Sequence, residues 1–283
     1  MKKDIKFSIV IPAYNTGKYI HKTLDSVYSQ TYSNYEVVIV NDGSTDSTSE
    51  IIRNYFKNFP AVHYKLIEQK NKGIGAARNS GIRETQGDFV AFLDADDKWS
   101  REKLSKIKRF LEENPQADLV CHDECCIRNG STKKLIYGPH KTYKDLLFGR
   151  NCLSTSATVV RRAKLFEAGL FSENTDFNGV EDYELWLRLS KICRMEYLHQ
   201  VLGEYALHDD SISSNIVNHT KNTLNVVDFH FKQWGSQKLY YKLLMIKRRM
   251  RVVAGAMYRS CKAGRLDILV RVLATVLPRV LKR

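Results

Sequence analysis

The chain has 283 residues, of which 43% are hydrophobic, and its formal net charge is +14. This length supplies a core for one large α/β domain or two ordinary ones, and the hydrophobic content excludes a wholly disordered chain. Most of the net charge lies in residues 235–283, where 13 Lys and Arg face a single acid. No DNA-binding motif accompanies it, and its three tyrosines, Tyr240, Tyr241 and Tyr258, do not alternate with the basic residues, so we expect no nucleic-acid partner.

The first 100 residues alternate between strand and helix patterns. Strands are predicted at four apolar runs: FSIVI (7–11), EVVIV (36–40), VHYKLIE (62–68) and FVAFL (89–93). Helical spacing predicts helices over 18–30 and 46–58 and a third from about Ile74, and Ser47 with Glu50 fits a capping box. Four such units indicate a doubly wound nucleotide-binding half, and they favour a strand over a signal peptide at the amino terminus.

Three loops follow these strands and carry polar residues. Ligands of doubly wound sheets bind at the carboxyl ends of the strands, so loops 12–15, 41–44 and 94–97 are expected to share one crevice. The sequence DADD at 94–97 brings three carboxylates together, and these repel each other unless a cation or a hydrogen-bond donor stabilises them. A Mg²⁺ ion held by one or two of the crevice acids and by substrate phosphates would supply that charge.

Two other site types are disfavoured by their spacing. The stretch KGIGAARNSG has Arg78 where a dinucleotide fingerprint needs its third glycine, and no P-loop sequence is found. Cys121, His122 and Cys125 suggest half of a zinc site, but no second half accompanies them. Six cysteines without a CxxC pair are expected to be reduced thiols of a cytoplasmic protein.

Five segments, taken together and in order, resemble the inverting family 2 glycosyltransferases: SIVIPAYN, VVIVNDGSTDST, NKGIGAARNSGI, GDFVAFLDADD and EDYELWLRL. The resemblance covers about residues 5–215 and implies the GT-A fold, an α/β fold with a single Rossmann-like nucleotide-binding domain and a mixed, mainly parallel sheet. The implied glycosyltransferase domain is 1–215, with a nucleotide-binding half at 1–100 and an acceptor half at 101–215. A C-terminal helical extension, the basic amphipathic tail, follows at 216–283.

The resemblance implies that the nucleotide-sugar donor is bound by the front loops. Pro12, Ala13, Tyr14 and Asn15 would hold the uridine of a UDP-sugar. Asp42 would accept a hydrogen bond from the uracil N3 hydrogen. From the residues alone, Asp42 in the sequence NDGST is also explained as a turn or helix-cap residue.

The same resemblance makes residues 94–96 the DXD motif of the family. Asp94 is expected near the ribose or sugar, Ala95 lies between the two acids, and Asp96 is expected on Mn²⁺ or Mg²⁺. Arg78 would lie near the sugar and phosphates of the donor.

Two further residues receive roles from the resemblance. Asp182 would be the catalytic base, supported by Glu181, although acids in a first helical turn are also explained by the helix dipole. His208 would be a third metal ligand, because GEYALHDDSISS is similar to the family pattern YRxHxxS. Ala206 stands in place of the arginine of that pattern.

The tail has two interpretations. Segments 242–258 and 265–283 interleave basic and apolar residues and are too charged to span a bilayer. Such segments are typical of amphipathic helices on an anionic membrane surface. A helical pair packed on the catalytic domain with a solvated basic face explains the same pattern.

We therefore expect a cytoplasmic enzyme, peripheral on the inner face of the cytoplasmic membrane. It would transfer a hexose or N-acetylhexosamine from a UDP-sugar to a lipid-linked glycan acceptor, with inversion, in the assembly of a surface polysaccharide such as O antigen or capsule. Two alternatives stay open. One is a nucleotidyltransferase that acts on a sugar phosphate, and the other is a non-catalytic module that binds membranes through the tail.

Overall fold

The structure is a computed structural model that describes residues 4–59, 63–128, 131–206, 215–235, 238–262, 264–276 and 278. Within these ranges, one mixed sheet contains nine strands: β1 (Phe7–Ala13), β2 (Tyr35–Asn41), β3 (Tyr64–Glu68), β4 (Phe89–Phe92), β5 (Lys98–Trp99), β6 (Leu119–Arg128), β7 (Ser131–Leu135), β8 (Thr158–Arg161) and β9 (Met195–Tyr205). The described helices are α1 (Ile20–Tyr28), α2 (Thr48–Asn58), α3 (Ile74–Arg83), α4 (Lys103–Glu113), α5 (Tyr143–Phe148), α6 (Arg162–Glu167), α7 (Glu181–Leu189), α8 (Ile216–Trp234), α9 (Leu239–Lys262) and α10 (Leu266–Thr275).

The sheet changes character after β4. Its order is β3-β2-β1-β4-β8-β6-β9-β5, with β7 paired to β6. The four strands predicted from apolar runs form the parallel part. β8 then pairs antiparallel with both β4 and β6, while β6 pairs in parallel with β9. The loops after β1, β2 and β4 therefore lie at one edge of the sheet, as predicted.

β1, β2 and β4 are buried on both faces, which explains their continuous apolar runs, whereas β3, at the end of the sheet, is partly exposed. Successive side chains of a strand point to opposite faces. Ile9 and Ile11 of β1 accordingly belong to a core with residues of α1, α2 and α4, whereas Val10 belongs to a second core with residues of α3 and α7.

The predicted capping box before α2 is wrong. Ser47 is the N-cap residue, but its side chain makes no capping hydrogen bond. Asp46 satisfies the helix start instead, because its Oδ1 accepts from the Thr48 backbone N–H at 3.0 Å and from the Thr48 hydroxyl. An aspartate carboxylate is a stronger acceptor than a serine hydroxyl, and it also complements the helix dipole.

The C-terminal helices pack against the rest of the molecule. Val226 and Val227 of α8 and Met245 of α9 are buried in the same core as α7. The inner faces of α8 and α9 therefore follow the interpretation in which the tail packs on the catalytic domain. The predicted domain boundary at residue 215 stays a prediction. None of the described helices combines the length and apolarity that crossing a membrane requires.

Candidate active site

The first loop of the crevice follows β1. Pro12 and Ala13 are buried at the end of the strand, where they pair with β2. Asn15 adopts a left-handed φ of 51°, and its backbone N–H donates to the Ser44 hydroxyl at 2.9 Å. Tyr14 keeps half of its surface exposed. The loops after β1 and β2 are thus tied together, and an aromatic ring is accessible beside them.

Asp42 is a buried carboxylate that fixes the segment leading into α3. Its Oδ1 accepts from Gln69 Nε2 at 2.7 Å and from the Lys72 backbone N–H at 2.9 Å. Its Oδ2 accepts from the backbone N–H of Gly73, the N-cap residue of α3, at 2.9 Å. A carboxylate offers about four acceptor positions, so Asp42 keeps capacity for about one ligand hydrogen bond.

Two glycines allow close backbone approaches around this segment. Gly43 has a φ of +76°, and a Cβ there would lie 2.7 Å from the Asn71 backbone nitrogen. At Gly75 in α3, a Cβ would lie 2.8 Å from the Ser172 carbonyl oxygen. Glycine therefore lets α3 approach the chain segment that precedes α7.

Arg78 links the parallel half to α7. Its side chain is 3% exposed, and it pairs with Asp94 and with Glu181, each at 2.7 Å. Its guanidinium carbon lies 5.2 Å from the centroid of the Phe171 ring. Burial of Arg78 and Glu181 makes this bridge a fixed element, because leaving either charge unpaired would be costly. The predicted contact of Arg78 with the donor stays a prediction, and both terminal nitrogens already contact protein carboxylates.

Hydrogen bonds from other parts of the protein hold Ala95 and Asp97 of the DADD sequence in place. Asp97 is buried, and its Oδ1 accepts from the Ala206 backbone N–H at 2.7 Å. Burial, and secondarily the charge of Glu124, raises the pKa of Asp97 well above its usual value. The Thr23 hydroxyl lies within 2.9 Å of the Ala95 carbonyl oxygen and also contacts that of Asp97.

These contacts revise the expected balance of charge at residues 94–97. The sequence predicted that a bound cation reconciles the three acids, but Arg78 already neutralises Asp94, and the raised pKa of Asp97 disfavours its charge. Asp96 is partly exposed, and its contact with a metal ion stays a prediction.

The residues present fit a hard divalent cation. Mg²⁺ is commonly held by one or two carboxylates plus substrate phosphates, so Asp96 with a diphosphate is a sufficient donor set. No cluster of three or more metal-binding side chains occurs among the residues that the structure describes. The third predicted ligand, His208, lies outside those residues.

Asp182 opens α7 and is only loosely held. Its Oδ2 is 3.4 Å from Asn151 Nδ2 and 3.5 Å from the Thr155 hydroxyl, distances at the outer limit of hydrogen bonding. Its Oδ1 accepts from the Tyr183 backbone N–H at 2.7 Å. Much of the acceptor capacity of this carboxylate is therefore available to a substrate hydroxyl.

The surroundings of Asp182 shift its titration towards neutrality. Desolvation, followed by the charge of Glu181, raises the pKa of Asp182 to about 7, and Arg78 partly opposes the rise. A general base works best when its pKa lies near the working pH. Asp182, the predicted base, thus has a pKa near neutrality and free acceptor positions on its carboxylate, and both suit proton transfer.

Sequence reasoning missed the loop before β8. The Ser156 hydroxyl accepts from the Asp94 backbone N–H at 3.0 Å, and Asn151 and Thr155 approach Asp182. The signal was the run of small polar residues in NCLSTSATVV. Because β8 runs antiparallel to β4, the start of β8 lies beside the carboxyl end of β4, and this pairing is not readable from local sequence.

A parallel half with acids at its strand ends, joined to a mixed half that supplies a further carboxylate pair, is typical of α/β enzymes that bind nucleotides. Residues 8–170 match the family described as Glycosyl transferase family 2, and the chain belongs to that family. It is a glycosyltransferase, so the nucleotidyltransferase and non-catalytic alternatives are not supported.

Named relatives agree with this assignment. The chain is 34% identical over 212 residues to the putative teichuronic acid biosynthesis glycosyltransferase TuaG of Bacillus subtilis, covering 74% of this chain and 81% of the relative. It is 31% identical over 260 residues to the chondroitin synthase of Escherichia coli, covering 86% of this chain but only 35% of that longer protein.

Solved structures share the fold. TarS residues 1–349 of S. aureus, in complex with UDP-GlcNAc, superposes with a TM-score of 0.65 at 18% identity, over 94% of this chain and 89% of that one. The mannosyltransferase PcManGT of Pyrobaculum calidifontis, with GDP-Man and Mn²⁺, also gives 0.65 at 20% identity, over 99% and 81%. The GT-A fold with a helical C-terminal part is thereby confirmed.

Proposed function

We propose that the chain is a metal-dependent, inverting glycosyltransferase that moves a hexose or N-acetylhexosamine from a UDP-sugar to a lipid-linked glycan acceptor. The observation that carries this proposal is the environment of Asp182. Its pKa is raised to about 7, the two side chains that approach its Oδ2 do so only at 3.4 and 3.5 Å, and the ion pairs of Arg78 with Glu181 and Asp94 connect α7 to the crevice.

The chemical step assigned to Asp182 is proton removal. An acceptor hydroxyl is a weak nucleophile at neutral pH, so a carboxylate within hydrogen-bond reach takes its proton as the oxygen attacks the anomeric carbon. Attack opposite the departing nucleotide inverts that centre in one displacement. Arg78 holds Glu181 and Asp94 in place, so the base and the DXD loop keep a constant relative position.

The donor is assigned to the front loops. Tyr14 offers an exposed ring to stack on a nucleobase, and Asp42 has acceptor capacity for about one base N–H. A divalent cation bound at Asp96 would neutralise the charge that develops on the leaving diphosphate.

Surface polysaccharide assembly is the proposed pathway class. It is supported by the names of relatives in teichuronic acid and amylovoran biosynthesis. A cytoplasmic location is supported by six free cysteines, which suit a reducing compartment. A peripheral position on the inner face of the cytoplasmic membrane is supported by the basic residues of the tail, which are attracted to anionic headgroups.

A nucleotide-sugar panel tests this proposal. The purified chain is mixed with UDP- and GDP-sugars in Mn²⁺, Mg²⁺ or a chelator, and thermal stabilisation is measured, because a bound ligand raises the melting temperature. Stabilisation by a UDP-sugar only with a divalent ion, and its loss in Asp96→Asn, are expected. NMR of a transferred sugar should show inversion. Preference for a GDP-sugar, equal binding in chelator, or a retained anomeric configuration would contradict the assignment.

A further inference from the structure

The inner face of α9 packs on the catalytic domain at one end and on the other tail helices at the other. Met245 is buried in the core that contains α7, whereas Val253 and Ala256 are buried in a cluster with residues of α8 and α10. Arg248 is 5% exposed, and its Nη2 lies 3.4 Å from the hydroxyl of Tyr183, the residue after the proposed base. α9 is therefore a structural helix of the domain, held in one rotational setting by this face.

The outer face of α9 carries a row of exposed aliphatic side chains, which we call the α9 stripe. It consists of Leu239, Leu243, Ile246 and Met250, which are 71%, 56%, 50% and 44% exposed. Spacings of four, three and four residues place them on one side of a helix. A row of this kind spans ~17 Å along the axis at about 1.5 Å per residue. Contiguous exposed apolar residues mark an interaction site, whereas single ones do not.

Basic residues border the stripe on both sides. Lys242, Lys247 and Arg251 are exposed. At about 100° per residue, Lys242 lies on one side of the stripe and the other two lie on the opposite side. The sequence of α9, LYYKLLMIKRRMRVVAGAMYRSCK, contains no Asp or Glu. The outer face thus joins an apolar centre to a positively charged border.

An apolar stripe between basic residues favours an anionic lipid surface over other binding partners. An apolar centre between Lys and Arg matches the interface of an anionic bilayer, where apolar side chains enter the acyl boundary and basic ones meet the headgroups. A second copy of α9 would bring like charges together, since the helix has no acid to pair with them. A nucleic acid would leave the aliphatic row without a partner.

We propose that the α9 stripe and its basic border dock α9 flat on an anionic lipid surface. The proposal rests on the peripheral location proposed above and not on the identity of the donor or acceptor. Because the opposite face of α9 contacts Tyr183, docking would fix the catalytic helix α7 relative to the membrane. Deletion of the tail cannot test this, since it would also remove buried core residues.

Point variants of the full chain test the surface. Leu243→Ser with Ile246→Ser removes half of the stripe, and Lys242→Gln with Lys247→Gln and Arg251→Gln removes the border. Two controls are matched in chemistry: Ile136→Ser, at an aliphatic residue 64% exposed on the catalytic domain, and the triple Gln substitution of the exposed Lys22, Lys57 and Lys133. Each protein is sedimented with vesicles of an equal phosphatidylcholine and phosphatidylglycerol mixture, and with phosphatidylcholine alone.

The wild-type chain should sediment with the anionic vesicles and weakly with the neutral ones. Loss of the three border charges should weaken binding roughly a hundredfold at low salt, about fivefold for each charge, and the stripe variant should lose more than about tenfold. Both controls should bind like wild type, and all variants should keep their melting temperatures and their stabilisation by nucleotide sugar.

Three results would overturn the proposal. They are equal vesicle binding by wild type and stripe variants, no vesicle binding by wild type, and a change of oligomeric state on substitution of the stripe, which would assign the face to a second copy. Failure of nucleotide-sugar binding with normal vesicle binding would instead contradict the proposed donor and leave the docking surface standing.

Discussion

Asp42 and Asp182 are both carboxylates at the ends of secondary-structure elements, yet the protein surrounds them differently. Asp42 is buried and accepts one side-chain and two backbone hydrogen bonds at 2.7–2.9 Å. Asp182 is partly exposed, and the two side chains that approach it do so at 3.4 and 3.5 Å. Within the described part of the chain, the Tyr183 backbone N–H is the one donor that reaches Asp182 at short range, at 2.7 Å, so Asp182 has fewer short hydrogen bonds than Asp42.

This difference in surroundings suits the two carboxylates to different roles, ligand binding for Asp42 and proton transfer for Asp182. Three short hydrogen bonds fix the position of the Asp42 carboxylate, whereas desolvation and a neighbouring negative charge raise the pKa of a carboxylate such as Asp182. The pKa of Asp182 is raised to about 7, mainly by desolvation and then by Glu181. Asp42 therefore suits a permanent binding role, and Asp182 suits proton transfer.

The largest expected effect is on turnover in Asp182→Asn. An amide cannot accept the acceptor proton, so kcat should fall by roughly two to four orders of magnitude while donor affinity stays near wild type. Stopped assays with titration of the nucleotide sugar measure both. The control is Asp176→Asn, at an exposed acid shortly before α7, which should retain full turnover. Survival of kcat within a few fold in Asp182→Asn would place the base elsewhere.

The next effect is on stability, in Arg78→Met. Methionine keeps most of the length but leaves the buried Glu181 carboxylate without its cation, which should cost about 3–5 kcal/mol of unfolding free energy. Urea denaturation measures the loss. Arg83→Met, at an exposed position at the end of the same helix, should change stability by less than about 0.5 kcal/mol. Equal effects of the two substitutions would show that the bridge contributes nothing.

The pH dependence follows from the raised pKa of Asp182. Only the ionised carboxylate can accept a proton, so kcat should fall about tenfold per pH unit below ~7, or about a hundredfold by pH 5. The linked stability effect has the opposite sense. The folded state binds the proton more tightly than the unfolded state, so the contribution of Asp182 to stability declines as pH rises from about 4 to about 7. A flat kcat profile across that interval would contradict the role.

Asp42→Asn should have a smaller effect. The new amide presents an N–H₂ group towards one of the donors that Asp42 now satisfies, which should cost about 1–3 kcal/mol and weaken nucleotide binding. Thermal melting with and without UDP measures both quantities. In contrast to Asp182→Asn, the kcat of donor-saturated enzyme should be nearly unchanged.

The sequence predicted local features well because their causes are local. The apolar runs at 7–11 and 36–40 lie within the observed strands Phe7–Ala13 and Tyr35–Asn41, since burial on both faces imposes such runs. The helix predicted from about Ile74 begins there. The rule that ligands bind at the carboxyl ends of the strands then located the crevice loops at one edge of the sheet.

Long-range pairing was not predictable in the same way. Arg78 and Glu181 are 103 positions apart, and nothing in their local sequence identifies each as the partner of the other. The tail pattern was equally ambiguous, because basic and apolar residues interleave both in a packed helix and in a membrane-surface helix. The structure shows α9 buried on one face and exposed on the other, so periodicity alone could not assign it to a single environment.

The smallest expected effect, a shift in the pH midpoint of kcat, tests the comparison of Asp42 with Asp182 most directly. Asn151→Ala removes a donor that lies 3.4 Å from Asp182 Oδ2, a weak hydrogen bond to the ionised form. Its loss should move the midpoint of the kcat profile upward by a few tenths of a pH unit, because less stabilisation of the carboxylate raises its pKa. Gln69→Ala removes the 2.7 Å donor to Asp42 and should lower stability without moving that midpoint. A midpoint that moved in the Gln69 variant, or moved downward in the Asn151 variant, would show that the two carboxylates do not divide binding from proton transfer.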